Sequence, residues 1–272
     1  MLLDNQRRRF DFGRNWGDFV RSITEEQIDE AERSLKYFLD IEDLSGHHFL
    51  DIGCGSGLFS LAAKRLGAQV MSFDDDPSSV ASARHLKDRF ADGVDDWRVE
   101  QGSVLDRGYI ENLGQYDIVY AWGVLHHTGA LCRAFYNTHL AVRPGGVLYL
   151  GIYNHQGVVS ELWRIVKRIF CGGAAGRIGA TLLFYPLFFV GGLFIDVMHL
   201  RDPRVRFRDH KRYRGMSLLH DWKDWLGGFP YEPARPEAVV AFFENLGYRL
   251  RKLAPPPIKF GNNQFVFYKP ER

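Results

Sequence analysis

Residues 48–60 read HFLDIGCGSGLFS, with Gly53, Gly55 and Gly57 at alternate positions directly after an apolar run. A glycine-rich turn between a strand and a helix lets backbone amides approach a bound ligand closely. The spacing decides which ligand. A dinucleotide turn needs G-x-G-x-x-G, but the residue three beyond Gly55 is Leu58. A triphosphate loop needs a Lys after its last glycine, and Leu58 follows Gly57 instead. Asp51, two residues before Gly53, would repel a pyrophosphate but attract an ammonium group. Asp74, which ends the run AQVMSFD, can accept both hydroxyls of a ribose. The turn therefore asks for a ligand with a ribose, an amino-acid tail and no phosphate.

A second group of residues has acid–base chemistry. VLHHTG places His126 and His127 after another apolar run, and YNHQG adds His155 with Tyr153 and Asn154 beside it. Histidine near its ordinary pKa can take a proton from a hydroxyl nucleophile. Each of the three is a candidate general base. Tyr153 and Asn154 are candidates for orienting an acceptor.

The elements that must hold these groups alternate. Strand-like runs at Phe49–Ile52, Gln69–Phe73, Trp97–Val99, Asp117–Ala121 and Val147–Ile152 are separated by helical stretches near Leu58–Leu66, Ser78–Phe90 and Ala130–Leu140. That alternation predicts a parallel sheet covered by helices on both faces. Thr24 followed by Glu25 and Glu26 predicts a helix start ahead of it. After a lapse of some eighty residues the pattern resumes with a helix at Pro236–Asn245 and strands at Tyr248–Leu253 and Gln264–Tyr268. The chain divides into a strap and helix (1–47), a core (48–153), an aromatic-rich helical cap insertion (154–235) and a last helix with two strands (236–272).

FLDIGCGSG, VMSFD, YDIVYAWGVLHHTG and LAVRPGGVLYLGIYN occur in that order. Together they resemble the successive motifs of class I S-adenosylmethionine-dependent methyltransferases, whose methyl donor answers the description above. The likeness spans about residues 48 to 153, and the end strands extend it towards 270. Within the family it is nearest to small-molecule O-methyltransferases of the quinone-biosynthesis type. The resemblance implies a Rossmann-like α/β fold of seven mostly parallel strands in the order 3-2-1-4-5-7-6, strand 7 antiparallel, with the helical insertion between strands 5 and 6. It places Asp51, Gly53, Cys54, Gly55 and Gly57 along the methionine tail, Asp74 at the ribose, Ser103 and Val104 at the adenine, and Trp122 beside the sulfonium. Ser103 stands where many relatives carry an acid.

Two stretches offer an acceptor pocket. FDFGRNWGDFV contains Trp16 and reads as a strap packed on the sheet or as a lid over both ligands. RGMSLLHDWKDWLGGFPYE contains His220, Asp221 and Trp222, a mixture that suits a ligand wall or ordinary core. Residues 178–195 carry no charge, and 201–214 follow with seven basic residues against two acidic. A single membrane crossing there would strand the fifth and sixth strands on opposite sides of a bilayer, and Pro186 with Gly191–Gly192 should break the run. An apolar cap or homo-oligomer interface, and an interfacial hairpin making peripheral membrane contact through 178–214, both stay open.

The net charge of +2 arises from 35 basic and 33 acidic residues, a balance that argues against a dedicated nucleic-acid binder. The usual Asn-Pro-Pro-Tyr-like signature of nucleobase amino methylation is replaced by AWGV. No cluster of spaced metal ligands is evident, so no metal is expected. Three scattered cysteines and the lack of an apolar leader in MLLDNQRRRF lead to a cytoplasmic expectation, peripheral to a membrane if the insertion meets one. The expected activity is O-methylation of a hydrophobic or lipid-linked small molecule. An RNA or protein methyltransferase and a catalytically silent cofactor-binding scaffold are the alternatives.

Overall fold

The computed structural model describes residues 10, 13–90, 96–200, 202, 205, 218–256 and 261–271. In chain order the elements are α1 (Gly13–Arg21), α2 (Glu25–Leu39), β1 (His48–Ile52), α3 (Leu58–Arg65), β2 (Gln69–Asp74), α4 (Pro77–Phe90), β3 (Trp97–Gln101), α5 (Arg107–Leu113) and β4 (Tyr116–Trp122). A 3-10 turn at Leu125–His127 precedes α6 (Leu131–Leu140), β5 (Val142–Tyr153), α7 (Val158–Cys171) and α8 (Ala174–Met198). The chain closes with α9 (Leu218–Gly227), α10 (Pro236–Asn245), β6 (Arg249–Ala254) and β7 (Asn262–Tyr268).

The seven strands form one sheet in the order β3-β2-β1-β4-β5-β7-β6. β7 runs antiparallel to both β5 and β6, and the remaining pairs are parallel. Alternation along the central strands builds a separate core on each face. Phe49, Ile118, Tyr120, Tyr149 and Val266 point to the face covered by α2 and α3. Leu50, Val119, Leu148, Leu150, Phe265 and Phe267 point to the other, with Ala134, Phe135, Val239 and Phe243 from α6 and α10. The RPGG turn lies within the β5 span, and the β4–β5 register slips across it, from Tyr116↔Val142 to Ile118↔Val147. Gly145, at φ 76°, makes that turn.

The insertion has its own small core of Phe170, Ala180 and Leu226, with Trp163, Phe184, Tyr185, Phe188 and Phe10 packed on it. Contrary to the expectation from sequence, α8 runs unbroken through Pro186. An internal proline costs about 3 kcal/mol and one backbone hydrogen bond. Aromatic anchors on both sides offset this: Phe184 stands 5.6 Å from Trp163, Tyr185 5.5 Å from Trp222, and Phe188 5.6 Å from Trp222, centroid to centroid.

On the far face Phe243 is fully buried and touches Phe135, Tyr248 and Phe267 with centroid distances of 5.2, 5.6 and 5.0 Å. Truncating it leaves a ring-sized void between α10 and β7. Phe243→Ala should lower the unfolding free energy by about 3–5 kcal/mol in urea titrations.

Candidate active site

β1 and β2 deliver the glycine turn to the carboxyl edge of the sheet. The amides of Gly53 and Cys54 both donate to the Phe73 carbonyl, at 2.8 and 3.1 Å, which pins the turn to β2. Gly53 adopts φ 70°, and a Cβ there would stand 2.4 Å from Val124. Gly55 adopts φ 54°, and its Cβ would meet the Trp16 indole at 3.0 Å. Side chains are excluded at both positions by strain and by space. Gly55 donates its amide to Asp74 Oδ2 at 3.0 Å, and Asp76 donates its amide to Asp74 Oδ1 at 2.9 Å. The Asp74 carboxylate is thus aimed by backbone from both sides of the turn. Asp76 caps α4 by accepting from the Ser78 amide, and its other oxygen accepts from the Gly13 amide at 2.9 Å.

Asp51 lies beneath this turn, 2% exposed. A line of donors ends on it. Trp97 Nε1 donates to Ser72 Oγ at 2.7 Å, Ser72 Oγ to Ser60 Oγ at 2.7 Å, and Ser60 Oγ to Asp51 Oδ2 at 2.5 Å. Burial pushes the Asp51 carboxyl up to about 7, against the pull of the Ser60 hydroxyl and with a smaller push from Asp74. A cationic amino group seated on the turn would favour the ionised form. Cys54 is also buried, and its thiol is pushed well up by desolvation. It packs as an apolar side chain and has no nucleophilic character.

The three histidines are placed very differently. His126 is fully buried, and its Nδ1 accepts from the Tyr153 amide at 3.4 Å. Its proton therefore sits on Nε2, which has no hydrogen-bond partner among the described residues. Desolvation first, and then His127 and Lys167, hold it neutral far below the usual histidine range. His155 Nδ1 accepts from the Gly157 amide at 3.2 Å, and its Nε2 faces Glu161 at 3.9 Å. His127 alone of the three uses Nδ1 as a donor, to the Pro230 carbonyl at 2.7 Å. A carbonyl can only accept, so the basic lone pair of His127 lies on Nε2.

Pro230 belongs to the end of the insertion, which folds back onto the histidine turn. Glu232 donates its amide to the His126 carbonyl at 2.9 Å, and its Oε2 accepts from the Leu131 amide at 3.1 Å. Ala234 donates to the Tyr153 carbonyl at 3.0 Å, and the Tyr231 ring stands 5.6 Å from that of Tyr153. From α7, Arg164 Nε donates to the Tyr231 carbonyl at 3.2 Å, while Lys167, almost fully buried, donates to the Trp225 carbonyl. Pro230, Glu232 and Lys167 were not legible as site residues. FPYE carries no local signal of a partner a hundred residues away.

Other expected positions sort by distance from this centre. Trp122 leans across Gly151 and donates Nε1 to Gln264 at 3.2 Å, so its ring is turned to β5 and β7. Ser103 Oγ accepts from the Leu105 amide at 3.4 Å, and the Val104 carbonyl accepts from Asn137 at 2.7 Å, both in the turn after β3. Asn154 Oδ1 accepts from Asn263 at 3.1 Å. Trp222 packs on α8 rather than on the histidine turn. The side chains of His220 and Asp221 lie outside the described residues. Trp16 comes from α1 onto the glycine turn, and Phe10, just before α1, donates its amide to the Phe229 carbonyl at 3.0 Å. The strap thus touches both the turn and the end of the insertion. Among the described residues, no group of three His, Cys, Asp or Glu side chains is gathered to hold a metal ion.

A seven-stranded sheet of this order with a glycine turn and two acids at its carboxyl edge defines a nucleoside-binding transferase. Residues 23–170 match the family model described as a methyltransferase domain. Ubiquinone biosynthesis O-methyltransferase of Xanthomonas oryzae pv. oryzae is 37% identical over 112 residues, which is 41% of this chain and 45% of that protein. The mitochondrial ubiquinone biosynthesis O-methyltransferase of Rattus norvegicus is 33% identical over 112 residues, 41% of this chain and 32% of that protein. The chain thus matches less than half the length of these curated relatives. Magnesium protoporphyrin IX methyltransferase from Synechocystis PCC 6803, solved with bound S-adenosylhomocysteine, superposes with a TM-score of 0.53 over 90% of this chain and 82% of that one, at 13% identity. The CurJ carbon methyltransferase superposes with a TM-score of 0.52 over 90% of this chain and 54% of that one, also at 13% identity.

The chain belongs to the methyltransferase domain family, for which the sequence motifs imply S-adenosylmethionine as the donor. The residues present fit that cofactor. Two turn positions free of side chains, an acid aimed by two amides and a second acid sunk beneath the turn suit a ribose and a cationic amino-acid tail.

Two outcomes are expected. Asp74→Ala removes the aimed carboxylate and should weaken S-adenosylhomocysteine binding about 10–100-fold by calorimetry. Asp51, whose folded pKa is raised, contributes stability that is present below its unfolded pKa and lost as pH rises through about 7. Ligand-free protein should lose up to about 1.4 kcal/mol per pH unit from this group between roughly pH 4 and 7. Asp51→Asn should flatten that part of the urea-midpoint profile.

Proposed function

We propose that this enzyme methylates a hydroxyl group on a hydrophobic small molecule of the quinone or phenol class, with His127 as the general base. The observation that carries this reading is the His127–Pro230 hydrogen bond, which places the imidazole lone pair on Nε2. S-adenosylmethionine supplies an electrophilic methyl group bound to a sulfonium. Gly53, Gly55, Asp51 and Asp74 hold its amino-acid tail and ribose, and Trp16 on α1 covers the turn. His127 Nε2 takes the proton of the acceptor hydroxyl as that oxygen becomes nucleophilic. The Pro230 carbonyl, accepting from Nδ1–H, steadies the imidazolium that results.

The neighbours suit an apolar acceptor. The rings of Tyr153 and Tyr231 stand beside the histidine pair, with the Lys167 ammonium 5.2 Å from the Tyr231 centroid. His126, neutral and buried, supports the turn and does not take the proton. The curated relatives are named as ubiquinone biosynthesis O-methyltransferases, which supports oxygen as the target and a ring-bearing acceptor. The nearly balanced charge supports a small molecule over a nucleic acid.

Transfer of a labelled methyl from S-adenosylmethionine to a long-chain catechol should yield an ether, whereas the matching aniline should stay unlabelled. His127→Gln should lower kcat about 10²–10⁴-fold, with S-adenosylhomocysteine affinity unchanged. Labelling of the aniline alone, or a His127→Gln variant with full kcat, would overturn the reading. Cofactor binding without transfer to any acceptor would point to a silent scaffold.

A further inference from the structure

The α7–α8 hairpin exposes an apolar surface that water does not favour. On α8, Leu182, Val190 and Phe194 are 71%, 61% and 65% exposed, and Ile178, Leu183, Leu187, Val197 and Met198 are also open. At 100° per residue these positions sweep over roughly half of the helix circumference, far wider than the stripe of a surface helix. Its opposite side packs through Phe184, Tyr185 and Phe188 onto α7 and α9. The charged residues of α8 are Arg177, near its start, and Asp196, which is turned inward and buried. On α7, Val158, Leu162, Ile165 and Ile169 extend the open apolar face at spacings of four, three and four residues.

We propose that this hairpin lies in the headgroup–acyl boundary of an anionic lipid bilayer, parallel to the surface. A protein partner seats against one stripe, whereas the open arc of α8 together with the α7 row calls for an apolar medium. Charge complements it: residues 201–214, which follow α8, carry seven basic residues and two acidic, a composition that draws anionic headgroups. At 25 residues α8 is long enough to span a bilayer, but β5 before the hairpin and β6 after it belong to one sheet, and α7 is tied to α9 through Lys167 and Phe170. The hairpin therefore enters on its side. Docking orients the molecule so that α7, which holds Tyr231 and Trp225, faces the lipid with the acceptor wall behind it. An acceptor dissolved in the bilayer then meets the wall directly. The docking itself rests on the hairpin and is independent of which atom is methylated.

Flotation with vesicles of phosphatidylcholine alone, and of phosphatidylcholine and phosphatidylglycerol in equal parts, tests this. The full chain should float with the anionic vesicles and be released by high salt to about a tenth of that level. The triple variant Leu182→Glu, Val190→Glu, Phe194→Glu should float about tenfold less while keeping its S-adenosylhomocysteine affinity, which reports an intact core. Recovery of the full chain in the soluble fraction with both vesicle types overturns the proposal. So does a triple variant that floats like the parent. A stoichiometric dimer by light scattering, dissolved by the triple variant in the absence of any vesicle binding, assigns the face to a second copy instead and equally overturns it.

Discussion

The acid–base side of this site depends on one long-range docking, the return of residues 230–234 onto the turn after β4. Pro230 fixes the His127 tautomer, Glu232 bonds the His126 carbonyl and the start of α6, and Ala234 bonds the end of β5. Each bond is an ordinary one, worth on the order of 1 kcal/mol. Their joint effect is positional. The sheet supplies a rigid edge at the ends of β4 and β5, and the insertion supplies the carbonyl that decides which ring nitrogen is basic. Neither part assembles that geometry alone.

The cofactor side is built by the opposite logic, from contacts local to the sheet. Gly53, Gly55 and Asp74 are within hydrogen-bond reach because β1 and β2 are adjacent and in register, Asp51 opposite Ser72. That closeness makes the turn legible in a single sequence. Glycine spacing, an acid ahead of it and an acid one strand later translate directly into a shape and a charge. The helices on both faces were equally legible from the alternation of strands and helices, whereas the strand order came from the family resemblance. What could not be read were features fixed by partners distant along the chain. His126 and His127 look equivalent as neighbours, and only Pro230, 103 residues later, gives the second a different tautomer from the first. Trp122 was expected at the sulfonium from its place after β4; its hold over Gly151 and on Gln264 depends on strands far along the chain. Pro186 reads as a helix breaker until the aromatic anchors on either side of it are seen.

The fold leaves the acceptor undetermined. An O-methyltransferase family protein from Burkholderia thailandensis and the CurJ carbon methyltransferase superpose on this fold with the same TM-score of 0.52. The contacts proposed for the acceptor come instead from the insertion, through Pro230 and Tyr231.

The strap that begins at Phe10 joins these two halves. Its amide bonds Phe229 in the insertion, its Gly13 amide bonds Asp76 beyond β2, and its Trp16 ring roofs Gly55. A segment clasped at three places cannot swing from one without straining the others. Any shift of Trp16 off Gly55 therefore pulls on the bond to Phe229, one residue from the carbonyl that fixes the His127 tautomer.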